Sequence, residues 1–257
     1  MIDAHLNLEG GPAMSAIRQL APGIHWWTCP HPEYRTKSEE VVSYALVAGP
    51  VHAAGETYTP VKALALVDPL LPAEEDARRA PLLAALDDLV GAARRLEIMV
   101  TIPYHTRSAE ELFERYWGAV ATRLWGNPAV AGRFAWDTPL TEIPRDKTGT
   151  AVPIADGLAE AFAIGNPRRL ETPLFFPAHK ALAFGDAVVG MPDGSLRVWD
   201  QADGTLSWYR HRFLPTLEPL AALEVESVLV THGPPVARGG RRALRAALDA
   251  PPVRAYW

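Results

Sequence analysis

The segment 99–112, MVTIPYHTRSAEEL, constrains the fold of this chain more than any other stretch. Its first residues are apolar or β-branched and predict a buried strand, which Pro103 ends because proline cannot donate to a sheet ladder. Ser108, with Glu111 three positions later, forms a capping-box pattern that predicts the start of a helix. His105 thus falls between the carboxyl end of a strand and a helix, where α/β proteins usually keep their sites. A loop histidine that only bonds a nearby carbonyl is the alternative.

Short apolar runs of strand length recur along the chain and alternate with helical patterns. The runs occupy 23–29, 41–47, 63–67, 159–164, 173–176, 180–184, 196–199 and 227–231. Apolar residues at helical spacing predict helices within 73–95, 217–223 and 240–250, in addition to the helix expected at 109–118. Blocks of strands that are each followed by helices predict two β-sheets face to face with helices outside.

Domain organisation follows from the polar and irregular stretches. Residues 1–20 are polar and glycine-rich and predict an N-terminal arm. We expect 21–257 to form one domain, because no linker with a shift in composition divides it. Between 124 and 153, Gly and Pro are frequent and the apolar residues follow neither a helical nor a strand period. This predicts a long surface connection, for which a lid over a site is one role.

Composition and charge argue against several classes of protein. A net charge of −5 argues against a nucleic-acid binder. The sequence contains no run of eighteen apolar residues, so no membrane span is predicted. The N-terminal sequence lacks the basic start and apolar centre of a signal peptide, so a cytoplasmic location is expected. Cys29 is the single cysteine, which excludes an internal disulfide and a cysteine-rich metal site. The oligomeric state is left open.

Three polar side chains share one description, since His105, Asp186 and His232 each follow an apolar strand at its exit. If those strands lie side by side, the three side chains converge on one edge of the sheets. Two imidazoles and a carboxylate are standard ligands of zinc or iron. Spacing alone is a weak signal, because any α/β protein places polar residues at strand ends.

The order of these elements resembles the metallo-β-lactamase fold superfamily over nearly the whole chain. The resemblance rests on 63–69 (ALALVDP), the strand–loop–helix at 99–112, 182–186 (LAFGD) and 229–233 (LVTHG). It implies an α/β fold of the metallo-β-lactamase type, a four-layer αββα sandwich. It also implies a hydrolase acting on a small ester, thioester or amide.

The family's His-x-His-x-Asp-His motif falls on 103–108 of this chain, where only His105 matches. Pro103 replaces the first histidine, Arg107 replaces the aspartate and Ser108 replaces the last histidine. Arg107 would bring a fixed cation to the position of an anionic ligand, which opposes a two-metal site. The resemblance therefore implies a member with a reduced metal site.

The rest of the family's ligand set is partly retained. Asn166 stands where the family has a lone histidine, Asp186 matches the carboxylate that bridges two metals, and His232 matches the last histidine of the second site. One zinc or iron ion held by His105, Asp186 and His232 is one expectation. The other is no metal at all, with a salt bridge between Arg107 and Asp186 in its place, because a buried carboxylate needs a partner.

Two classes of function follow. In the first, the chain is a hydrolase with one metal ion, in which Arg107 or Tyr104 holds a developing oxyanion. Ferrous iron would make oxygen-dependent sulfur oxidation a variant, as in the family's persulfide-oxidising members. In the second, the chain is not catalytic, and its cleft binds a small anionic ligand or a partner protein without metal.

Further residues complete the set of hypotheses. Tyr104 and Asn166 are the candidates for substrate contact, and a small-molecule ligand is expected. A metal-free hydrolase with His105 or His232 as general base is the third and least supported possibility. Asp68, which follows the apolar run 63–67, is interpreted as a structural carboxylate that bonds loop amides.

Overall fold

Two β-sheets packed face to face form the centre of the structure, a computed structural model that describes residues 16–31, 40–49, 63–144, 149–166, 168–200 and 205–253. The first sheet contains, in spatial order, β1 Arg18–Ala21, β2 Ile24–Pro30, β3 Glu40–Ala48, β4 Ala63–Val67, β5 Arg95–Met99, β6 Ala121–Gly126 and β7 Thr141–Glu142. Strands β1 to β4 are antiparallel, whereas β4 to β7 run parallel.

The second sheet is built from the later part of the chain. Its first members are β8 Ala151–Ile154, β9 Ala159–Phe162, β10 Leu174–Phe176 and β11 Ala181–Phe184. A two-stranded ribbon, β12 Val188–Gly190 and β13 Leu196–Val198, follows before β14 Ser227–Val230 returns to the sheet. The spatial order is β14-β11-β10-β9-β8, and β14 lies parallel to β11.

Helices cover the outer face of each sheet. Against the first sheet lie α1 Arg79–Gly91 and α2 Ala109–Tyr116. Against the second lie α3 Leu206–Trp208, a π-helical turn Tyr209–Phe213, α4 Leu214–Ala222 and α5 Gly240–Asp249. The four layers are therefore helix, sheet, sheet and helix, and the αββα architecture predicted from the sequence is confirmed.

Strand alternation divides the apolar residues among three cores. In β4, Leu64 and Leu66 pack against the helices, whereas Val67 faces the second sheet. In β11, Leu182 packs on the opposite helical layer and Ala183 faces the first sheet. Both faces of these central strands are buried, which is why they read as continuous apolar runs without polar alternation.

The strand predicted at 99–102 lies earlier in the chain. Strand β5 ends at Met99, because the Thr101 N–H donates to the Asp68 carboxylate (2.8 Å) and not to a neighbouring strand. The capping box is also wrong. Helix α2 begins at Ala109 as expected, but the Ser108 hydroxyl makes no cap and accepts the Leu71 N–H (2.9 Å).

The predicted surface connection at 124–153 is not a continuous loop, because short segments of it pair with the first and second sheets. It contains the end of β6, all of β7 and most of β8, while 145–148 lie outside the described residues. Turn residues mask the period here, because Asn127 caps a 3-10 turn by accepting the Ala129 N–H (2.8 Å). Glu110 of α2 accepts N–H bonds from Ala135 and Trp136, which ties the loop to the helix.

The N-terminal arm predicted at 1–20 falls mostly on residues 1–15, which lie outside the described residues. Strand β1 begins at Arg18 and pairs with β2, so the chain joins the first sheet earlier than the polar composition indicates. Among the helices of the described ranges, none is long and apolar enough to cross a membrane.

A buried tyrosine joins the two sheets at the edge where β3 meets β14. The Tyr44 hydroxyl donates to the Val230 carbonyl (2.7 Å), and the Val42 N–H donates to the Thr231 carbonyl (2.8 Å). Tyr44 is 1% exposed, so this bond forms in a dry interior. It links residues 186 positions apart in the chain.

We expect Tyr44→Phe to lower the free energy of unfolding by about 1–2 kcal/mol, because the Val230 carbonyl loses a donor that water cannot replace. Urea denaturation followed by circular dichroism measures the change. Tyr104→Phe removes a hydroxyl from a ring that is 60% exposed and is the matched control, with an expected change within about 0.5 kcal/mol. Equal stability of the two variants would contradict a stabilising role for the bond between the sheets.

Candidate metal site

Four strand exits meet at one edge of the structure, between the two sheets. Asp68 directly follows β4, and His105 ends a 3-10 turn, Pro103–His105, after β5. Asp186 follows β11 and His232 follows β14. Because β4 lies parallel to β5, and β11 to β14, the carboxyl ends of each pair open at the same edge.

The side chains of His105, Asp186 and His232 converge at this edge. Asp186 Oδ1 lies 3.2 Å from His105 Nε2 and 3.2 Å from His232 Nε2. One potential ligand atom from each residue lies within 4.8 Å of the other two, and the imidazole centroids are 5.9 Å apart. All three side chains are buried, with 6%, 7% and 3% of His105, Asp186 and His232 exposed.

Asp68 holds the His105 ring from the opposite side. Its Oδ2 atom lies 3.0 Å from His105 Nδ1, and its two oxygens also accept the N–H and the hydroxyl of Thr101 (2.8 and 2.5 Å). A carboxylate that accepts these bonds makes Nδ1 of His105 the donor, so Nε2 of the neutral ring presents its lone pair to Asp186. This carboxylate–imidazole pair is the arrangement that orients a metal-binding histidine.

A positive charge is needed where the three side chains meet. Asp186 Oδ1 makes no hydrogen bond of acceptable angle within the described structure, although both Nε2 atoms are near. Burial and the Arg107 charge oppose protonation of His105, but Asp186 and Asp68 outweigh them and raise its pKa. Burial likewise opposes ionisation of Asp186, yet the two imidazoles hold its pKa well below the usual range.

The donors fit one divalent ion. Two imidazole nitrogens and one carboxylate oxygen suit zinc or ferrous iron, and the second carboxylate, Asp68, already orients one imidazole. Among the described residues, these three are the one group of metal-ligand type that converges. The nearby Ser108 hydroxyl accepts the Leu71 N–H.

Arg107 does not pair with Asp186, so the salt bridge predicted as the alternative is wrong. Among the described ion pairs, Asp186 contacts only His105 and His232. The half-buried Arg107 guanidinium donates instead to the Asp68 carbonyl (3.1 Å), and its backbone has a φ of 42°. The Arg107 guanidinium thus stabilises the turn after β4 by donating to a carbonyl. Asp186 keeps His105 and His232 as its neighbours.

The two predicted substrate contacts lie in different surroundings. Tyr104 precedes His105, is largely exposed, and has the Arg133 guanidinium 4.0 Å from its ring centroid. Asn166 is half-buried in the turn after β9, where the Gly165 N–H donates to the Thr216 hydroxyl of α4 (3.2 Å). A role in substrate binding remains a prediction for both.

Sequence reasoning gives too little weight to two residues of this edge. It treats Asp68 as structural, although Asp68 follows an apolar run in the same way as Asp186, and this shared pattern is the available signal. His31 follows β2, and its ring stacks near His232 with the centroids 5.9 Å apart. Its proximity depends on the pairing of β2 with β3, which no local motif encodes.

Comparison with known proteins gives matches among solved structures alone. No protein-family model matches the chain, and no curated protein matches it. The structure is similar to a metallo-β-lactamase from Erythrobacter litoralis, with a TM-score of 0.60 and 17% identity over 91% of this chain and 94% of that one.

Two further solved structures are similar to this chain in fold, again at low sequence identity. A β-lactamase domain protein from Burkholderia ambifaria gives a TM-score of 0.57 and 20% identity over 94% of this chain and 76% of that one. A metallo-β-lactamase family protein from Thermus thermophilus gives a TM-score of 0.52 and 20% identity over 90% of this chain and 80% of that one. Identities at this level are evidence of common architecture. The chain has the metallo-β-lactamase fold.

Proposed function

We propose that this chain is a hydrolase of the metallo-β-lactamase type that works with a single divalent ion. The observation that carries the proposal is the convergence of His105 Nε2, His232 Nε2 and Asp186 Oδ1 within 4.8 Å, with Oδ1 making no acceptable hydrogen bond. The Nε2 lone pair of His105 and the Asp186 carboxylate repel one another unless a cation lies between them. The fold adds support, because the similar structures include metallo-β-lactamases.

His105, Asp186 and His232 would hold the ion, with Asp68 as the carboxylate that orients His105. When bound, such an ion supplies Lewis acidity and a nucleophile at neutral pH. The surrounding burial favours this chemistry, because a site shielded from water strengthens every charge interaction within it.

The residues around the three ligands would bind the substrate. Tyr104 and Arg133 form a cation–π pair beside His105, and together they offer an aromatic face and a positive charge to a polar acyl group. His31 brings a third imidazole near His232, where it would hold or move a proton of the substrate or leaving group. A small ester, thioester or amide is the substrate class that this set suits.

We expect metal-free protein to bind one equivalent of Zn²⁺, measured by isothermal titration. His105→Ala, Asp186→Ala and His232→Ala should each abolish tight binding, because two ligands do not hold a structural-strength ion. His179→Ala is the matched control, since that imidazole contacts the Val47 carbonyl (2.9 Å) elsewhere in the fold. A stoichiometry of two, or no binding by the unmodified protein, would overturn the single-ion proposal.

We expect Asp68→Asn to weaken Zn²⁺ binding by about 10–100-fold, because an amide orients the His105 ring less strongly than a carboxylate. Competition with a chelating dye measures the affinity. Asp87→Asn, which changes an exposed carboxylate paired with Arg115, is the control and should bind like the unmodified protein. Unchanged affinity in Asp68→Asn would show that Asp68 serves the fold alone.

Turnover separates the hydrolase from the non-catalytic alternative. We expect the Zn²⁺-loaded protein to hydrolyse at least one member of a panel of aryl esters and acyl thioesters, and Asp186→Asn to lower kcat/KM by at least about 100-fold. Metal removal with a chelator should have the same effect. A protein that binds an anionic ligand without metal, loses that binding in Arg107→Ala and turns over nothing would instead support the non-catalytic alternative.

A further inference from the structure

A buried ion pair between Arg169 and Glu171 lies behind the candidate metal site. Arg169 is 2% exposed and Glu171 is not exposed, and Arg169 Nε donates to Glu171 Oε2 (3.2 Å). The same guanidinium donates to the Trp199 carbonyl (2.9 Å) and lies 4.6 Å from the centroid of the Phe213 ring. Taking both charges out of water carries a large desolvation cost, so the pair is a poor device for stability alone.

Glu171 binds the backbone on both sides of Asp186. Its Oε1 atom accepts the Gly185 N–H (3.0 Å), and the Ala187 N–H also donates to its carboxylate. Asp186 lies between these two residues in the chain. One carboxylate therefore fixes the position of the peptide units from which the Asp186 side chain extends.

The turn at Gly185 is enclosed by other side chains that lead to the site. A Cβ atom at Gly185 would lie 2.6 Å from the Thr101 hydroxyl, which itself donates to Asp68 (2.5 Å). The Thr231 hydroxyl, next to His232 in the chain, donates to the Gly185 carbonyl. Glu171 thus belongs to a layer in which each group supports one of the converging side chains.

We propose that Glu171 is a positioning residue of the metal site, which holds Asp186 Oδ1 in the geometry that the two imidazoles require. The inference rests on the proposed single-ion site. Its physical basis is preorganisation, because a carboxylate that is already in place loses less freedom when an ion binds. Arg169 orients Glu171 through the bond to Oε2, which leaves Oε1 for the Gly185 N–H.

The chain offers a matched carboxylate that is equally buried and lies elsewhere. Glu97 of β5 is not exposed, and its oxygens accept bonds from Arg123 Nη2 (2.7 Å) and Trp125 Nε1 (2.7 Å). Like Glu171 it is paired with an arginine, but the groups that contact it are side chains of the first sheet. Removing it tests the cost of losing a buried, arginine-paired carboxylate without touching the Asp186 turn.

Titration with Co²⁺ tests the inference, because the ion reports both affinity and ligand geometry through its visible absorption bands. We expect Glu171→Ala to weaken Co²⁺ binding by about 10–100-fold and to change the band positions or intensities. Glu171→Gln should lose less affinity, because its amide oxygen can still accept the Gly185 N–H. Glu97→Ala should bind Co²⁺ with unchanged affinity and spectrum, even if its melting temperature falls as much as that of Glu171→Ala.

The outcomes separate this inference from the function on which it rests. If the unmodified protein binds no Co²⁺, both are overturned. If it binds Co²⁺ and Glu171→Ala matches Glu97→Ala in affinity and spectrum, only the positioning role is overturned. Should Glu171→Ala fail to fold, Gly185→Ala is the second variant. Its Cβ atom would clash with the Thr101 hydroxyl and shift the same turn, while the ion pair stays in place. We expect this variant to bind Co²⁺ more weakly and with an altered spectrum.

Discussion

The contact of the Asp186 carboxylate with the Nε2 atoms of His105 and His232 is the interaction around which the candidate site is arranged. A buried negative charge at the meeting point of two sheets is costly unless positive charge accompanies it. Protonated imidazole and a divalent cation both meet that requirement. Asp68 Oδ2 contacts Nδ1 of His105 and so orients the ring, which turns its other nitrogen toward Asp186.

The polar side chains near this carboxylate find partners within the fold. Arg107 and Ser108, which follow His105 in the chain, each have a local partner and do not need a metal ion to satisfy them. Ser108 accepts the Leu71 N–H, and Arg107 donates to the Asp68 carbonyl. Behind the site, the Glu171 carboxylate accepts the Gly185 N–H and so holds the backbone next to Asp186. These groups stabilise the loops around the site, while His105, Asp186 and His232 converge within it.

The sequence predicted much of the fold because strands buried on both faces and helices packed on one face have distinct apolar patterns. The strand at 63–67 and the start of the helix at Ala109 agree with the structure at the residue level. The run beginning at Met99 does not agree, because the Thr101 N–H donates to the Asp68 side chain and not to a neighbouring strand. The strands within 124–153 have no clear apolar pattern, because turn residues interrupt it.

The amino-acid sequence by itself determined the αββα layering and the placement of His105, Asp186 and His232 at strand exits, since both follow from local periodicity. Tertiary structure alone decided which groups meet there. Asp68 contacts His105 from 37 positions away, and Glu171 reaches the Asp186 turn only once β10 and β11 have paired. Hydrogen-bond partners separated by whole strands depend on sheet register and side-chain rotamer, and neither leaves a local pattern in the chain.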